Sequence, residues 1–341
     1  MVLAFLINFY AHSQPPNGSP TPTHIPEALA VPIVTISREL GIAPVLTFAD
    51  TVLWNAKPAD SQLPMSANNI SFEHTFSGNS SEKNYHMTSA KAELRGVEIL
   101  RIIEDYAHLP DVTDLHAISK TARDLRRLVT VVQDLTDITQ NMKEGVDPYT
   151  FYFEVRPWFR GSDCGASKWI YDGVPESDSL DLGGPSAGQS TVMHAIDVFL
   201  DVDHKLQQKR SPAPSEHNKK ADKGFMERMR RYMPGSHQAY LKDLAGLPVP
   251  IRSLAKTSPV LRESYDLAVL ALKRFRDIHM QVACLYTISM AGKPPPGTPE
   301  EVEERERIQS RGPAKGTGGS SIASLLKAGR DATDRTRLGK R

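Results

Sequence analysis

Apolar residues return every three or four positions along most of this chain, the spacing that holds one face of an α-helix against a core. Leu115, Ile118, Ala122, Leu125, Leu128, Val132 and Leu135 sustain such a stripe over about five turns. Leu94, Val97, Arg101 and Asp105 mark alternate faces of a helix before it. A further helix is predicted from about Pro259 to Tyr286, with Leu261, Tyr265, Ala268, Val269, Leu272, Phe275, Val282 and Ala283 on its apolar face. His279 falls on that face, four residues after Phe275 and four before Ala283, so an imidazole is aimed inward. Convincing alternating strands are few and no internal repeat is present. The pattern predicts an all-α fold.

The interruptions are as informative as the stripes. Met1 to Tyr10 (MVLAFLINFY) is apolar but about half the roughly 20 residues that span a bilayer, and it lacks the basic start of a signal peptide. It reads as the end of a packed helix. The next stretch, HSQPPNGSPTPTHIP from His12 to Pro26, has the composition of an extended link, with regular structure expected to begin after it. Gly161 to Gly184 and Lys205 to Lys223 read as long irregular segments, and such loops in a compact domain are usually functional or mobile. The charged chain end, KAGRDATDRTRLGKR, is expected to fray, leaving Ile322, Leu325 and Leu326 as the last packing residues.

Composition narrows the function classes. With 341 residues, 40% of them hydrophobic and 24% charged, the chain can bury a sizeable core in one or two domains. The 41 basic and 40 acidic residues leave a formal charge of +1, so no global field marks a nucleic acid or an anionic membrane as partner. The local run Lys219, Lys220, Lys223, Arg228, Arg230 and Arg231 lacks interleaved aromatics and reads as a solvated face. Cys164 and Cys284 form neither a disulfide framework nor a CxxC pair, which points to a reducing compartment and excludes a zinc ribbon. No HExxH and no His/carboxylate pair at zinc spacing occurs, so any metal would need histidine ligation or a cofactor.

Taken alone, these residues leave two readings of His279 open: a metal ligand, or a buried imidazole satisfied by one or two hydrogen bonds. The small-residue run Gly183 to Ser190 precedes a helical pattern (Val192, Ile196, Phe199, Leu200). It lacks the lysine of a phosphate loop, and it reads either as a helix start capped by Ser186 or as a segment that leaves room for a ligand.

Six blocks in order shift the balance: AVPIVTISRELGIAPVLTFADTVLWNA (30 to 56), FYFEVRPWFRG (151 to 161), GGPSAGQSTVMHAIDVFL (183 to 200), MRRYMPGSH (229 to 237), LKRFRDIHMQV (272 to 282) and KGTGGSS (315 to 321). Over about Pro26 to Leu326 the chain resembles the indoleamine 2,3-dioxygenases, haem enzymes that open the indole ring of tryptophan. The SAGQS run and the R-x-x-H helix are the most specific parts. The resemblance implies that His279 is the proximal ligand of haem b iron, whose opposite face stays open for O2. It places Arg276 near a haem propionate and pairs it with Asp197. Ser186 and Ala187 would pass close over haem and substrate.

For the substrate, the resemblance makes Arg156 the carboxylate-binding arginine and gives Ser89, beside the distal haem face, and Arg156 the catalytic positions. Phe151 and Tyr152 match aromatic pocket positions, and in a helix Tyr152 and Arg156 would share a face at i and i+4. Phe48, Thr51 and Val52 match an indole wall, and Tyr85 the distal haem side. Phe48, Thr51 and Tyr85 stand where vertebrate members have tyrosine, cysteine and phenylalanine, which keeps the aromatic wall and changes its polarity. Thr317, with Gly318 and Gly319, matches a mobile loop that closes over the site. His86 and His194 lie in blocks near the haem but match no ligand, and are expected to pack or face solvent.

The implied organisation is a large helical haem-binding catalytic domain over 81–328, a reduced helical N-terminal domain over 1–80 with a Pro-rich connector at 11–26, and a charged tail over 329–341. Family members carry a further helical segment ahead of the region matching Met1, so the chain is expected to be a truncated gene product or a shortened, fungal-like paralogue. The implied activity is cleavage of L-tryptophan by O2 to N-formylkynurenine, the first step of the kynurenine pathway towards NAD, with an external reductant, in a cytoplasmic monomer without nucleic-acid or membrane partners. The alternatives are a non-catalytic haem-binding regulatory relative and a helical scaffold without cofactor.

Overall fold

The computed structural model describes residues 1–14, 21–163, 167–202, 204, 224–297 and 322–339. In chain order its helices are α1 (Val2–Ser13), α2 (Glu27–Leu40), α3 (Ser80–Ala107), α4 (Leu115–Gln140), α5 (Met142–Gly145), α6 (Pro148–Thr150) and α7 (Thr191–Phe199). There follow α8 (Phe225–Arg230), α9 (Gly235–Ala245), α10 (Ile251–Thr257), α11 (Pro259–Tyr286), α12 (Ile288–Ala291) and α13 (Ile322–Thr336). Strands are short: β1 (Thr23–Ile25), β2 (Ala56–Lys57), β3 (Ser71–Phe72) and β4 (Trp169–Tyr171), with β1 parallel to β4 and β2 antiparallel to β3. The architecture is all-α, as the periodicity requires.

Helix ends fall where the sequence supplies caps. Asn79 accepts the Glu82 N–H at the start of α3, and Asp114 accepts the His116 and Ala117 N–H groups at the start of α4. Pro259 opens α11, where its missing N–H costs nothing. Gly41 ends α2 at φ 63, the left-handed conformation open to glycine.

The main core joins α3, α4, α7, α9, α10 and α11, with α4 lying along α11. Leu125, Leu128, Val132 and Leu135 are buried there as the stripe predicts. Leu115 is not: in the first turn of α4 it is 81% exposed, beyond the reach of the facing helices. A second cluster gathers Phe5, Ile7, Ile25 and Leu46 from early in the chain with Phe151, Trp169, Tyr171 and Tyr286 from late in it. Aligned backbone and shared apolar burial therefore tie the first helix to segments more than a hundred residues away, as the Asn8 bond to the Trp158 carbonyl at 2.9 Å also does.

Three expectations change. Regular structure begins before Pro26, because Thr23–Ile25 pairs with β4 across the molecule. The expected fraying of the charged end does not hold as far as Thr336: α13 continues to that residue, with Ala332, Thr333 and Thr336 buried, because it packs against α11. Arg228 is not on a solvated face: it is buried and donates to Asp181 at 2.6 Å, while Tyr232 donates to the same carboxylate at 2.6 Å. Asp181 comes from the 161–184 stretch, so a buried ion pair pins a segment whose composition suggests only a loop.

The two halves of the leucine stripe on α4 should respond differently to truncation. Leu128→Ala, at a position with 0% exposure, is expected to cost about 2 to 5 kcal/mol. Leu115→Ala is expected to stay within about 0.5 kcal/mol; urea unfolding curves of both variants check the contrast.

Candidate functional site

The apolar stripe of α11 passes from core to cavity wall without any change of spacing. Leu261, Tyr265, Ala268, Val269 and Leu272 are buried in the core, whereas Phe275, His279, Val282 and Ala283 line a largely apolar cavity of about 370 Å³. This size falls in the range of cofactor and small-molecule sites. Facing walls come from α3, from the 185–193 segment and from two short stretches at 48–52 and 151–159.

His279 stands on this wall with its ring stacked on that of Phe275, centroids 6.1 Å apart. Burial, and secondarily the Arg276 charge, lowers its pKa to about 4. The imidazole is therefore neutral at pH 7 and has a lone pair to offer a metal. Among the described residues no group of three or more His, Cys, Asp or Glu side chains is arranged to hold an ion. A single neutral imidazole on an apolar wall fits a metal that arrives with its other ligands already in place, as in a haem.

One turn earlier, Arg276 Nη2 donates to both Asp197 oxygens at 2.6 Å, and Nη1 donates to the Thr333 hydroxyl and to the Gly329 carbonyl. Burial alone would raise the Asp197 carboxyl, but Arg276 and His204 hold it down to about 2. The pair ties α7, α11 and α13 together behind the cavity. Arg276 reaches the lining and Asp197 does not.

Two wide turns shape the opposite wall. Residues Ala49–Leu53 and Phe151–Val155 are π-helical, with hydrogen bonds from Trp54 N–H to the Ala49 carbonyl and from Arg156 N–H to the Phe151 carbonyl. A π turn aligns residues five apart. Phe151 and Arg156 consequently share the cavity face, while Tyr152 is removed from it and packs against the Phe153 ring, with the Arg156 guanidinium 5.3 Å from its own ring centroid. Phe48, Thr51 and Val52 line the cavity through the first π turn. The 151–161 block is held against the 183–190 block at two glycines: a Cβ on Gly184 would lie 2.0 Å from the Phe159 carbonyl oxygen, and one on Gly161 2.3 Å from that of Leu182. Only glycine permits backbones to cross this closely.

Tyr85 and Ser89 line the cavity from α3, where the Ser89 hydroxyl donates to the Tyr85 carbonyl at 3.3 Å. Ser186 and Ala187 line it from the small-residue run, and both readings of that run coexist, since the Ser186 hydroxyl also accepts the Gly188 N–H at 3.1 Å. Thr317 lies outside the described residues. His86 is buried among the rings of Phe72, Tyr85 and Phe159, and His194 is buried against the Gly188 carbonyl at 2.9 Å.

Sequence reasoning passes over several lining residues, the ionisable Glu93, His204 and His86 among them. Glu93 follows Ser89 by one turn of α3, so extending that face would have found it; its carboxylate accepts the Ser190 hydroxyl at 2.5 Å. Burial raises the Glu93 pKa to about 7, against the opposing effect of Ser190. His204 gives no sequence signal, because only the fold returns it to Asp197.

The indoleamine 2,3-dioxygenase family profile matches residues 1–336. Indoleamine 2,3-dioxygenase 1 of Mus musculus is 29% identical over 319 residues, covering 92% of this chain and 73% of its own length. Indoleamine 2,3-dioxygenase 2 of Homo sapiens is 30% identical over 346 residues (98% and 77%). An indoleamine 2,3-dioxygenase of Penicillium citrinum is 28% identical over 347 residues (98% and 71%).

Glu93 should leave a signature in the pH dependence of stability. Its pKa rises on folding from 4.5 to about 7, so between these values the folded state keeps a proton that the unfolded chain has lost, and stability falls as pH rises through the window. Glu93→Gln is expected to flatten this fall by up to about 3 kcal/mol, measured by urea unfolding at about pH 5 and about pH 8.

Proposed function

The chain belongs to the indoleamine 2,3-dioxygenase family, whose members are haem dioxygenases, and from this premise we propose that it opens the indole ring of L-tryptophan with O2 to give N-formylkynurenine. The observation that carries the reading is the shared cavity: a neutral histidine, an arginine and an aromatic wall face one apolar space.

Haem b, when bound, would supply the iron and the oxygen chemistry. His279 would hold the iron, and Phe275 beside it would keep the imidazole from turning. Arg156, nearly buried at 7% exposure, offers a planar fork that can hold an amino-acid carboxylate by two parallel hydrogen bonds. Phe48, Tyr85 and Phe151 supply flat apolar surface for an indole. Small side chains at Ser186 and Ala187 leave volume for the substrate, and the largely apolar lining favours an indole over water. These groups bind and orient; none has to transfer a proton. The reading also requires an external reductant, and its product would enter the kynurenine pathway.

Reconstitution with haem, reductant and L-tryptophan tests the proposal. The wild type should show a Soret band and release N-formylkynurenine, and His279→Ala should lose both. Arg156→Leu should keep the Soret band and raise KM for tryptophan by about 10- to 100-fold. A Soret band indifferent to His279 would sink the reading, and a haem spectrum without product would assign the chain to a non-catalytic haem-binding role.

A further inference from the structure

His204 is brought to the cavity by a turn that no periodicity announces. After α7, Asp201 adopts φ 55, a left-handed conformation that aspartate tolerates better than most residues. The Val202 N–H then donates to the Asp197 carbonyl at 2.8 Å, so the chain folds back on the helix it has just left. His204 Nε2 donates to Asp197 Oδ2 at 2.6 Å, and the ring lines the cavity. This bond fixes the tautomer and orientation of the imidazole. The other ring nitrogen, Nδ1, is buried and finds no partner among the described residues. A polar atom in that situation is costly unless something binds it.

The neighbouring arginine is the obvious group for an anionic ligand, yet its terminal nitrogens are engaged within the protein: Nη2 by Asp197, Nη1 by Thr333 and Gly329. Resting on the haem reading above, we propose that His204 anchors a carboxylate of the tetrapyrrole through Nδ1, with Asp197 and Arg276 acting as its positioning residues. Haem b carries two propionates on an otherwise apolar ring, and an apolar cavity must supply donors to them. With a propionate on Nδ1 and Asp197 on Nε2, both ring nitrogens donate, which is the protonated form of histidine. The negative charge of Asp197 on the far side of the ring balances that form, and Arg276 holds Asp197 in place.

Haem release from wild type and His204→Leu, each reconstituted with haem b and with its dimethyl ester, tests the assignment. Transfer to an excess of a haem-scavenging protein is followed at the Soret band. His204→Leu should speed the loss of haem b about tenfold and leave release of the ester unchanged, because the ester presents no carboxylate. His204→Asn, which keeps a donor near the place of Nδ1, should fall between wild type and His204→Leu with haem b. Equal acceleration for both porphyrins, no acceleration for haem b, or an asparagine variant that behaves as leucine does would each overturn the assignment. If His204→Leu holds haem b normally, only this inference falls; if the wild type holds no haem at all, the proposed function falls with it.

Discussion

An ion pair between the buried Asp197 and the partly buried Arg276 governs the geometry of the site. Such pairs add little net stability, because desolvation offsets much of the attraction, but removing Arg276 would leave the Asp197 charge buried and unpaired, at a cost of up to about 3 to 5 kcal/mol. Its effect here is positional. Asp197 sits on α7, Arg276 on α11, and the Thr333 hydroxyl that Arg276 also reaches lies on α13, so three helices are locked in rotation around one guanidinium. His279 stands one turn beyond Arg276, and its direction into the cavity follows from that lock.

The facing wall is set by backbone rather than by charge. Two π turns and one close crossing at Gly161 and Gly184 decide which side chains of the aromatic blocks reach the cavity. A π turn sacrifices regular α-helical bonding, and such turns cluster at functional sites. The consequence is that Phe151 shares the cavity face with Arg156, while Tyr152 stays against the Arg156 guanidinium but leaves the lining. The wall this creates is largely apolar.

Burial also sets the charge state of the interior. The histidine on the wall is held neutral, Glu93 keeps its proton towards neutrality, and the Asp197 carboxylate is ionised against Arg276. A neutral imidazole suits metal ligation, whereas the ionised Asp197 orients a second histidine on the same wall. One fold thus uses desolvation to discharge some groups and ion pairing to keep others charged.

The sequence alone determined the helical class, the long stripes of α4 and α11, and, through ordered blocks, the family and a set of cavity residues that includes Phe48, Arg156 and His279. These features are local: periodicity depends on neighbours within about one turn, and a motif keeps its residues together. Tertiary structure alone decided where the stripe of α11 leaves the core and becomes cavity wall, because an apolar position looks the same in sequence whether protein or a ligand covers it. It also decided that Arg228 is buried, that the chain end packs as α13, that Tyr152 turns away from the cavity, and that His204 returns to Asp197. Each of these depends on a partner distant along the chain or on a non-repeating backbone turn, and neither leaves a period that residue spacing can reveal.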